Sequence, residues 1–144
     1  MVILKKTSIK DINIIHSWQI DPLTRTYFNN NSAPTYSEHC EWMENNLDKK
    51  DVLLYTIIGE NRKVGVIRLN IDTVNMATVS ILICSQEYGK GFAYLALEAV
   101  LKLHNNFEFA AFIHDENKSS KKLFFKCGFI QVDDTKYIKK AEND

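Results

Sequence analysis

The stretch from Ile81 to Ala93, ILICSQEYGKGFA, places the end of an apolar run directly before two glycines and a helical pattern. The apolar run is rich in β-branched residues, and LALEAVLKL continues after the glycines at helical spacing. We therefore predict a strand, a glycine-rich turn and the N-terminus of a helix. Such a turn leaves backbone N–H groups unpaired at the positive end of the helix dipole. An anionic group, usually a phosphate, is the ligand that this arrangement favours.

The rest of the pattern predicts the order β-α-α-β-β-β-α-β-α-β-β, which indicates an α/β fold with a mixed sheet and helices on both faces. Two N-terminal helices are expected after caps at Ser8 and Ser37, and the first should end before Pro22. Two further helices are expected over about 91–104 and from Asn117 to a left-handed C-cap at Gly128. Strands are expected at 2–6, 52–58, 63–71, 78–84, 107–114, 129–132 and 136–139.

Size and composition narrow the class of protein. The 144 residues, 45% hydrophobic and 25% charged, predict one globular domain over 1–144. The formal net charge of zero and the lack of a basic stripe disfavour a nucleic-acid partner. The apolar runs are too short for a membrane span and no secretory signal pattern is present, so we expect a cytoplasmic protein without a membrane partner. The three cysteines have no CxxC or metal-type spacing, so neither a disulfide framework nor a metal site is expected.

The second half of the chain resembles the GNAT superfamily of acyl-CoA-dependent N-acyltransferases. The segments YGKGFAYLALEAVL and HDENKSSKKLFFKCGF are similar to the two linked motifs of that superfamily. The second motif, Asn-x-x-Ala/Ser-x-x-Leu-Tyr-x-Lys-x-Gly-Phe, is matched here at Asn117, Ser120, Leu123, Lys126, Gly128 and Phe129. The resemblance implies a single GNAT-like domain with a splayed central pair of strands. It also implies an enzyme that uses acetyl-CoA as the acyl donor, without a metal.

The same resemblance implies which residues hold the coenzyme. Backbone amides near the two glycines would bind its pyrophosphate, and free backbone groups of Ile83 and Cys84 in the splayed strand would pair with the pantetheine amides. Asn117 could contact the pantetheine or serve only as a helix cap, and Lys122 or Lys126 could reach the phosphates or merely be solvated. The expected coenzyme-binding residues are Ile83, Cys84, Tyr88, Gly89, Lys90, Gly91, Phe92, Ala93, Asn117, Ser120 and Lys126.

Three positions depart from the family pattern. Tyr88 stands where a glutamine or arginine is usual, which weakens the phosphate site little because backbone amides dominate it. Phe124 replaces the tyrosine that often reprotonates the thiolate, and Thr78 lies near the usual glutamate base. We therefore predict a direct ternary-complex reaction in which a water molecule takes the amine proton. Ser80 is the candidate to hold that water, although it could also be only a small residue beside the coenzyme.

The segment between the two N-terminal helices is the expected acceptor site. It is rich in aromatic, amide and hydroxyl groups, including three consecutive asparagines at 29–31, which suit a sugar or a nucleotide base, while an arginine suits a phosphate. A polar surface loop is the alternative interpretation. The candidate acceptor-binding residues are Arg25, Phe28, Tyr36, His39 and Trp42.

The arrangement from Trp18 to Trp42 resembles GNAT enzymes that acetylate nucleotide-linked deoxyamino sugars, of the pseudaminic-acid pathway type. This resemblance implies that the partner is a small-molecule amine and that the protein is a monomer or a homodimer. An acetyltransferase of ribosomal-protein N-termini is one alternative, and a catalytically inactive acyl-CoA-binding module is another. The histidines form no recognisable catalytic dyad, and no cysteine has a visible base partner, so an acyl-cysteine route is not expected.

Overall fold

A computed structural model describes residues 1–28 and 32–142 and contains seven strands and four α-helices. The strands form one mixed sheet, as predicted, and their order in the sheet is β1-β2-β3-β4-β5-β7-β6. In chain order, the elements are β1 (Val2–Lys6), α1 (Ile12–Gln19), α2 (Tyr36–Asn46), β2 (Val52–Gly59), β3 (Arg62–Thr73), β4 (Met76–Ile83), α3 (Phe92–Leu103), β5 (Glu108–Phe112), α4 (Lys118–Lys126), β6 (Ile130–Gln131) and β7 (Lys136–Lys139).

The two N-terminal helices begin at capping boxes. Ser8 caps a short 3₁₀ turn that leads into α1, and Asp11 completes that box. The prediction that Ser37 caps α2 was wrong, because the cap is Thr35. The Thr35 hydroxyl accepts the Glu38 N–H at 3.1 Å, and the Glu38 carboxylate accepts the Thr35 N–H at 2.8 Å. Both orphan donors at this helix end are thereby satisfied two residues earlier than expected.

Helices cover both faces of the sheet, as predicted. One apolar cluster joins α3 and α4 to one face, with Ile67, Val79 and Phe109 among its buried members. A second cluster packs α1 and α2 on the opposite face against residues such as Leu54. Because side chains alternate along a strand, Thr78 and Ser80 of β4 project toward the α1 and α2 side.

The parallel pair β4 and β5 separates after only three residue pairs. The pairs run from Met76 opposite Glu108 to Thr78 opposite Ala110, whereas β4 continues to Ile83. On its other edge, β4 pairs with β3 through Ile83. The residues from Val79 to Ile83 therefore leave a wedge-shaped slot toward β5, with its closed end at Thr78. This slot is the splayed strand pair that the family resemblance implies.

Most boundaries agree with the sequence prediction within two residues. The strand expected at 107–114 is shorter and spans Glu108–Phe112, and the strand expected at 129–132 contracts to Ile130–Gln131. The helix α4 begins after Asn117, and Gly128 follows it with a φ of 97°, as expected of a left-handed C-cap.

Candidate active site

The turn between β4 and α3 presents a run of free backbone donors. Gly91 caps α3 with a φ of 83°, no side chain caps the helix, and Gly89 has a φ of 79°. The amides from Gly89 to Tyr94 donate no hydrogen bond to any residue in the described ranges. A Cβ added at either glycine would meet nothing within 4 Å, so the space in front of these amides is open. The turn therefore fits a phosphate group both electrostatically and sterically.

An ion-pair cluster fixes this turn to the β2–β3 hairpin. Glu87, only 8% exposed, accepts two hydrogen bonds from the Arg62 guanidinium, at 2.7 Å from Nε and 2.6 Å from the second nitrogen. The Lys90 ammonium lies 2.9 Å from the same carboxylate. Arg62 foremost, and then Lys90, hold the pKa of Glu87 at about 2. Sequence analysis missed this cluster because Arg62 and Glu87 are far apart in the chain.

The slot beyond the turn offers backbone groups of alternate residues. Asn75 already accepts the Glu108 N–H at 2.8 Å, so odd-numbered residues of β4 direct their backbone groups toward β5. Beyond Thr78, those residues are Val79, Ile81 and Ile83, and no strand in the described part of the chain pairs with β4 there. Ile83 therefore lies at the slot, and its pairing with an extended ligand stays a prediction.

The prediction that the backbone of Cys84 is free was wrong. Its N–H donates to the Val64 carbonyl at 2.9 Å, and its carbonyl accepts the Glu87 N–H at 2.9 Å. Both groups are thus used within the fold, and the side chain is buried. Val79 and Ile81 are the slot residues that sequence analysis did not identify, and strand alternation is the signal that could have found them.

The helix α4 supplies the other predicted coenzyme residues. Asn117 caps it, with Oδ1 accepting the Ser120 N–H at 3.2 Å. That cap leaves the Asn117 amide nitrogen available, so capping and ligand contact are compatible. The Lys126 ammonium lies 4.2 Å from the centre of the Tyr94 ring, which places it beside the first turn of α3. Tyr88 is 52% exposed at the turn, while the Phe92 side chain is buried beneath it.

The expected acid and base positions contain no acid or base. Phe124 is 4% exposed and packs edge-on against Phe129, so it belongs to the core. The Thr78 hydroxyl donates to the Asp72 carboxylate at 2.8 Å, at the closed end of the slot. Ser80 is half-buried, and its hydroxyl bonds to no described residue. Asp72 is therefore a carboxylate beside the predicted reaction centre that sequence analysis overlooked, because only the strand register brings it to Thr78.

The segment after α1 contacts both walls of the slot at its open end. The Ser85 hydroxyl donates to Asp21 at 2.5 Å, and this bond, followed by the Leu23 N–H, lowers the pKa of the Asp21 carboxyl. On the far side, the Tyr27 and His114 rings lie 5.4 Å apart, which joins the segment to the loop after β5. This segment therefore borders the open slot from the side of α1 and α2.

The candidate acceptor residues occupy two kinds of position. Phe28, Tyr36 and Trp42 are exposed by 39%, 52% and 36%, respectively, and offer aromatic surface. Arg25 donates to the carbonyls of Gln19 and Ser32 at 3.2 and 3.0 Å and so holds the segment together. The asparagines at 29–31 lie outside the described residues.

His39 lies in the packing between the first two helices. It is 2% exposed, and its Nε2 lies 2.9 Å from the Ile12 carbonyl of α1. Burial lowers the pKa of His39, and this favours the neutral ring. A contact between His39 and an acceptor stays a prediction, whereas its contact with α1 is part of the fold.

Within 1–28 and 32–142, no cluster of histidine, cysteine or acidic residues could hold a metal ion. No helix in these ranges has the length and apolar character needed to cross a membrane.

The comparisons with known proteins agree with this geometry. Residues 2–130 match the sequence profile of the acetyltransferase (GNAT) domain family. A spermidine N-acetyltransferase from Vibrio cholerae, solved with CoA and spermine, superposes with a TM-score of 0.83 at 17% identity, over 96% of this chain and 92% of that one. A domain from Methanocaldococcus jannaschii superposes with a TM-score of 0.83 at 23% identity, over 96% of both chains. No curated protein matches the chain.

Proposed function

The chain belongs to the GNAT acetyltransferases, and from that premise we propose that it acetylates the primary amine of a nucleotide-linked deoxyamino sugar. The acyl donor of this family, acetyl-CoA, supplies a thioester carbonyl that an amine can attack and a thiolate that leaves readily. The observation that supports the sugar nucleotide is the exposed aromatic surface of Phe28, Tyr36 and Trp42 on the segment and helix that follow α1. Flat aromatic faces suit sugar rings and nucleobases, which stack on them.

Backbone groups do most of the coenzyme binding in this proposal. The free amides from Gly89 to Tyr94 bind the pyrophosphate, and Lys126 lies near enough to the start of α3 to add positive charge. Val79, Ile81 and Ile83 offer their backbone groups to the extended arm. Five residues from Val79 to Ile83 span roughly 16 Å at the usual rise of a strand. The closed end of the slot at Thr78 therefore stops the reactive end beside Ser80.

Proton removal from the amine is assigned to Ser80, Thr78 and Asp72. Ser80 and Thr78 lie on the face of β4 toward α1 and α2, from which the acceptor enters. We place a water molecule on the Ser80 hydroxyl, where it takes the proton from the amine. The proton then passes to the Thr78 hydroxyl, which gives its own proton to the Asp72 carboxylate. As the nitrogen bonds to the carbonyl carbon and the carbon–sulfur bond breaks, solvent returns a proton to the thiolate. This last step needs no acid at Phe124.

The first test of the proposal uses thiol release with a panel of amines. We expect release with UDP- or dTDP-linked amino sugars, and little with spermidine or with peptides that carry a free N-terminus. Release only with such peptides would instead support an enzyme that modifies protein N-termini. Ser80→Ala should lower turnover and change its pH profile, and an unchanged profile would exclude Ser80 from the reaction.

Coenzyme binding is measured separately, so that an inactive module can be recognised. Acetyl-CoA at 100 times its dissociation constant should stabilise the protein by about 2.7 kcal/mol in thermal unfolding. This stabilisation without thiol release from any amine would identify an acyl-CoA-binding module and contradict the proposed enzyme.

A further inference from the structure

Arg68 carries a partly buried positive charge that has no acidic partner among the described residues. It lies in β3, on the face covered by α1 and α2, and its Nε is enclosed without a hydrogen bond to any described residue. The guanidinium lies 5.5 Å from the centre of the Trp42 ring. Burial alone lowers the pKa of Arg68, and no neighbouring carboxylate counteracts it.

Arg62, six residues earlier in the same strand, shows how this fold usually accommodates an arginine. Its guanidinium pairs with Glu87 at 2.6 Å and with Glu60 at 3.0 Å, and these bonds raise its pKa. Arg62 is also the more exposed of the two arginines. A buried charge without a partner opposes folding. The presence of Arg68 at this position is therefore explained by a role other than stabilising the fold. The stacking on Trp42 leaves the enclosed Nε donor of Arg68 without a hydrogen bond to any described residue.

Arg68 also lies next to the proposed reaction centre. It pairs directly with Ser80 across the β3–β4 ladder, and the next pair toward the closed end of the slot is Leu69 with Val79. Directly opposed residues in an antiparallel pair have Cβ atoms about 4.5–5.5 Å apart. Arg68 and Ser80 therefore border the same space, on the side from which the acceptor amine approaches.

From these contacts we infer that Arg68 binds an anionic group of the acceptor, a carboxylate or a phosphate, and so selects amines that carry a negative charge. This inference rests on the proposed acetyl transfer and specifies its substrate class. A guanidinium binds both groups through paired N–H donors, and the Trp42 ring holds its plane in place. A polyamine is excluded as the preferred acceptor because its charge repels Arg68.

Matched pairs of acceptors test this inference. One pair is an amino acid and its methyl ester, and the other is a nucleotide-linked amino sugar and the corresponding free methyl glycoside. Spermidine is included as a polycation. We expect kcat/KM to favour the anionic member of one pair by roughly 10- to 100-fold, the range for a hydrogen-bonded charge. The pair that shows the preference distinguishes a carboxylate from a diphosphate.

Arg68→Met should remove that preference, mainly by raising KM for the anionic member, and Arg68→Lys should restore part of it. Arg62→Met is the control for loss of an arginine from β3. It releases Glu87 and should weaken coenzyme binding, but the ratio of kcat/KM between charged and neutral acceptors should stay at the wild-type value. Equal rates for charged and neutral acceptors, a preference for spermidine, or an unchanged preference in Arg68→Met would each overturn the inference.

Thermal unfolding separates this role from a purely structural one. If the role of Arg68 is to bind an anion of the acceptor, Arg68→Met should leave the melting temperature unchanged or raise it. The reason is that the variant removes a partly buried charge that has no acidic partner among the described residues. A large fall in the melting temperature of Arg68→Met together with an unchanged acceptor preference would assign Arg68 to packing on Trp42. Failure of the wild-type protein to acetylate any amine, with coenzyme binding intact, would contradict the proposed function itself. Arg68 would then be tested by whether inorganic phosphate protects the wild type, but not Arg68→Met, against thermal unfolding.

Discussion

The coenzyme side and the acceptor side of the slot present different kinds of chemical group. In the reaction proposed above, the coenzyme is bound by backbone amides from Gly89 to Tyr94 and by the unpaired edge of β4. The proposed groups on the acceptor side are side chains, chiefly Trp42, Arg68 and Ser80. Backbone groups are the same in every sequence that adopts the fold, whereas side chains change with each substitution. The donor of the acetyl group is therefore a property of the family, and the acceptor is a property of this chain.

On the acceptor side, we expect the largest loss of activity from a substitution of Asp72, the carboxylate at the closed end of the slot. Asp72→Asn should lower kcat by about 100-fold, because general-base assistance has at least that worth. The affinity for acetyl-CoA should not change, and this can be measured by calorimetry. Thr78→Val is the matched variant, since it removes the hydroxyl that holds Asp72, and it should show an intermediate loss. If Asp72→Asn also bound acetyl-CoA less tightly, the proposal that the two sides of the slot act independently would be contradicted.

The converse change addresses the coenzyme side. Gly91→Ala places a Cβ in a left-handed conformation beside the free amides, and we expect the Kd of acetyl-CoA to rise about tenfold, equivalent to 1.4 kcal/mol. Gly128→Ala is the control, because Gly128 has a similar φ of 97° away from the turn. Both substitutions should destabilise the fold by roughly 1–2 kcal/mol. Only Gly91→Ala should affect coenzyme binding, and equal effects of the two variants would show that the turn has no special role.

A smaller effect is expected at the bond that joins the two sides. Ser85→Ala removes the hydroxyl that holds Asp21, and with it the link between the acceptor segment and the end of β4. We expect KM for the acceptor to rise severalfold, about the worth of one partly exposed hydrogen bond. The Kd of acetyl-CoA should change less than twofold by calorimetry. Ser17→Ala serves as the control, since Ser17 is an exposed serine whose hydroxyl bonds only within α1.

The smallest effect concerns stability in acid. Because the pKa of Glu87 is about 2 in the folded protein, below its ordinary 4.5, the folded state binds fewer protons there than the unfolded chain. The stabilisation from Glu87 is complete above about pH 4.5 and is lost as the pH falls through 2. Denaturant unfolding should therefore show a steeper loss between these pH values for the wild type than for Glu87→Gln. Glu60→Gln, at an exposed partner of Arg62, should retain the wild-type slope.

The sequence sufficed for those parts of the fold that depend on local pattern. The turn at Gly89 and Gly91, the cap at Asn117 and the order of helices and strands along the chain each follow from nearby residues. The cap of α2 was predicted two residues late because Ser37 and Thr35 both have suitable side chains, and only the pairing of Thr35 with Glu38 distinguishes them.

The parts of the site that the sequence did not reveal depend on long-range register. Asp72 reaches Thr78, and Arg68 opposes Ser80, only once β3 and β4 are aligned. The pairing of Arg62 with Glu87 likewise needs the hairpin to fold beside the turn. Cys84 was wrongly predicted to have free backbone groups because it follows Ile83 in the sequence. In the structure, its N–H already donates to the Val64 carbonyl of β3.

The open slot between β4 and β5 also bears on how the protein behaves without its coenzyme. Unpaired strand edges are templates on which another chain can add a strand, and they promote aggregation. In the proposed binding mode, an extended pantetheine arm would lie along β4 and deny that edge to other chains. Bound acetyl-CoA would then protect the fold as an added strand does, and we expect the concentration of acetyl-CoA to determine how long a concentrated solution of the protein stays free of aggregates.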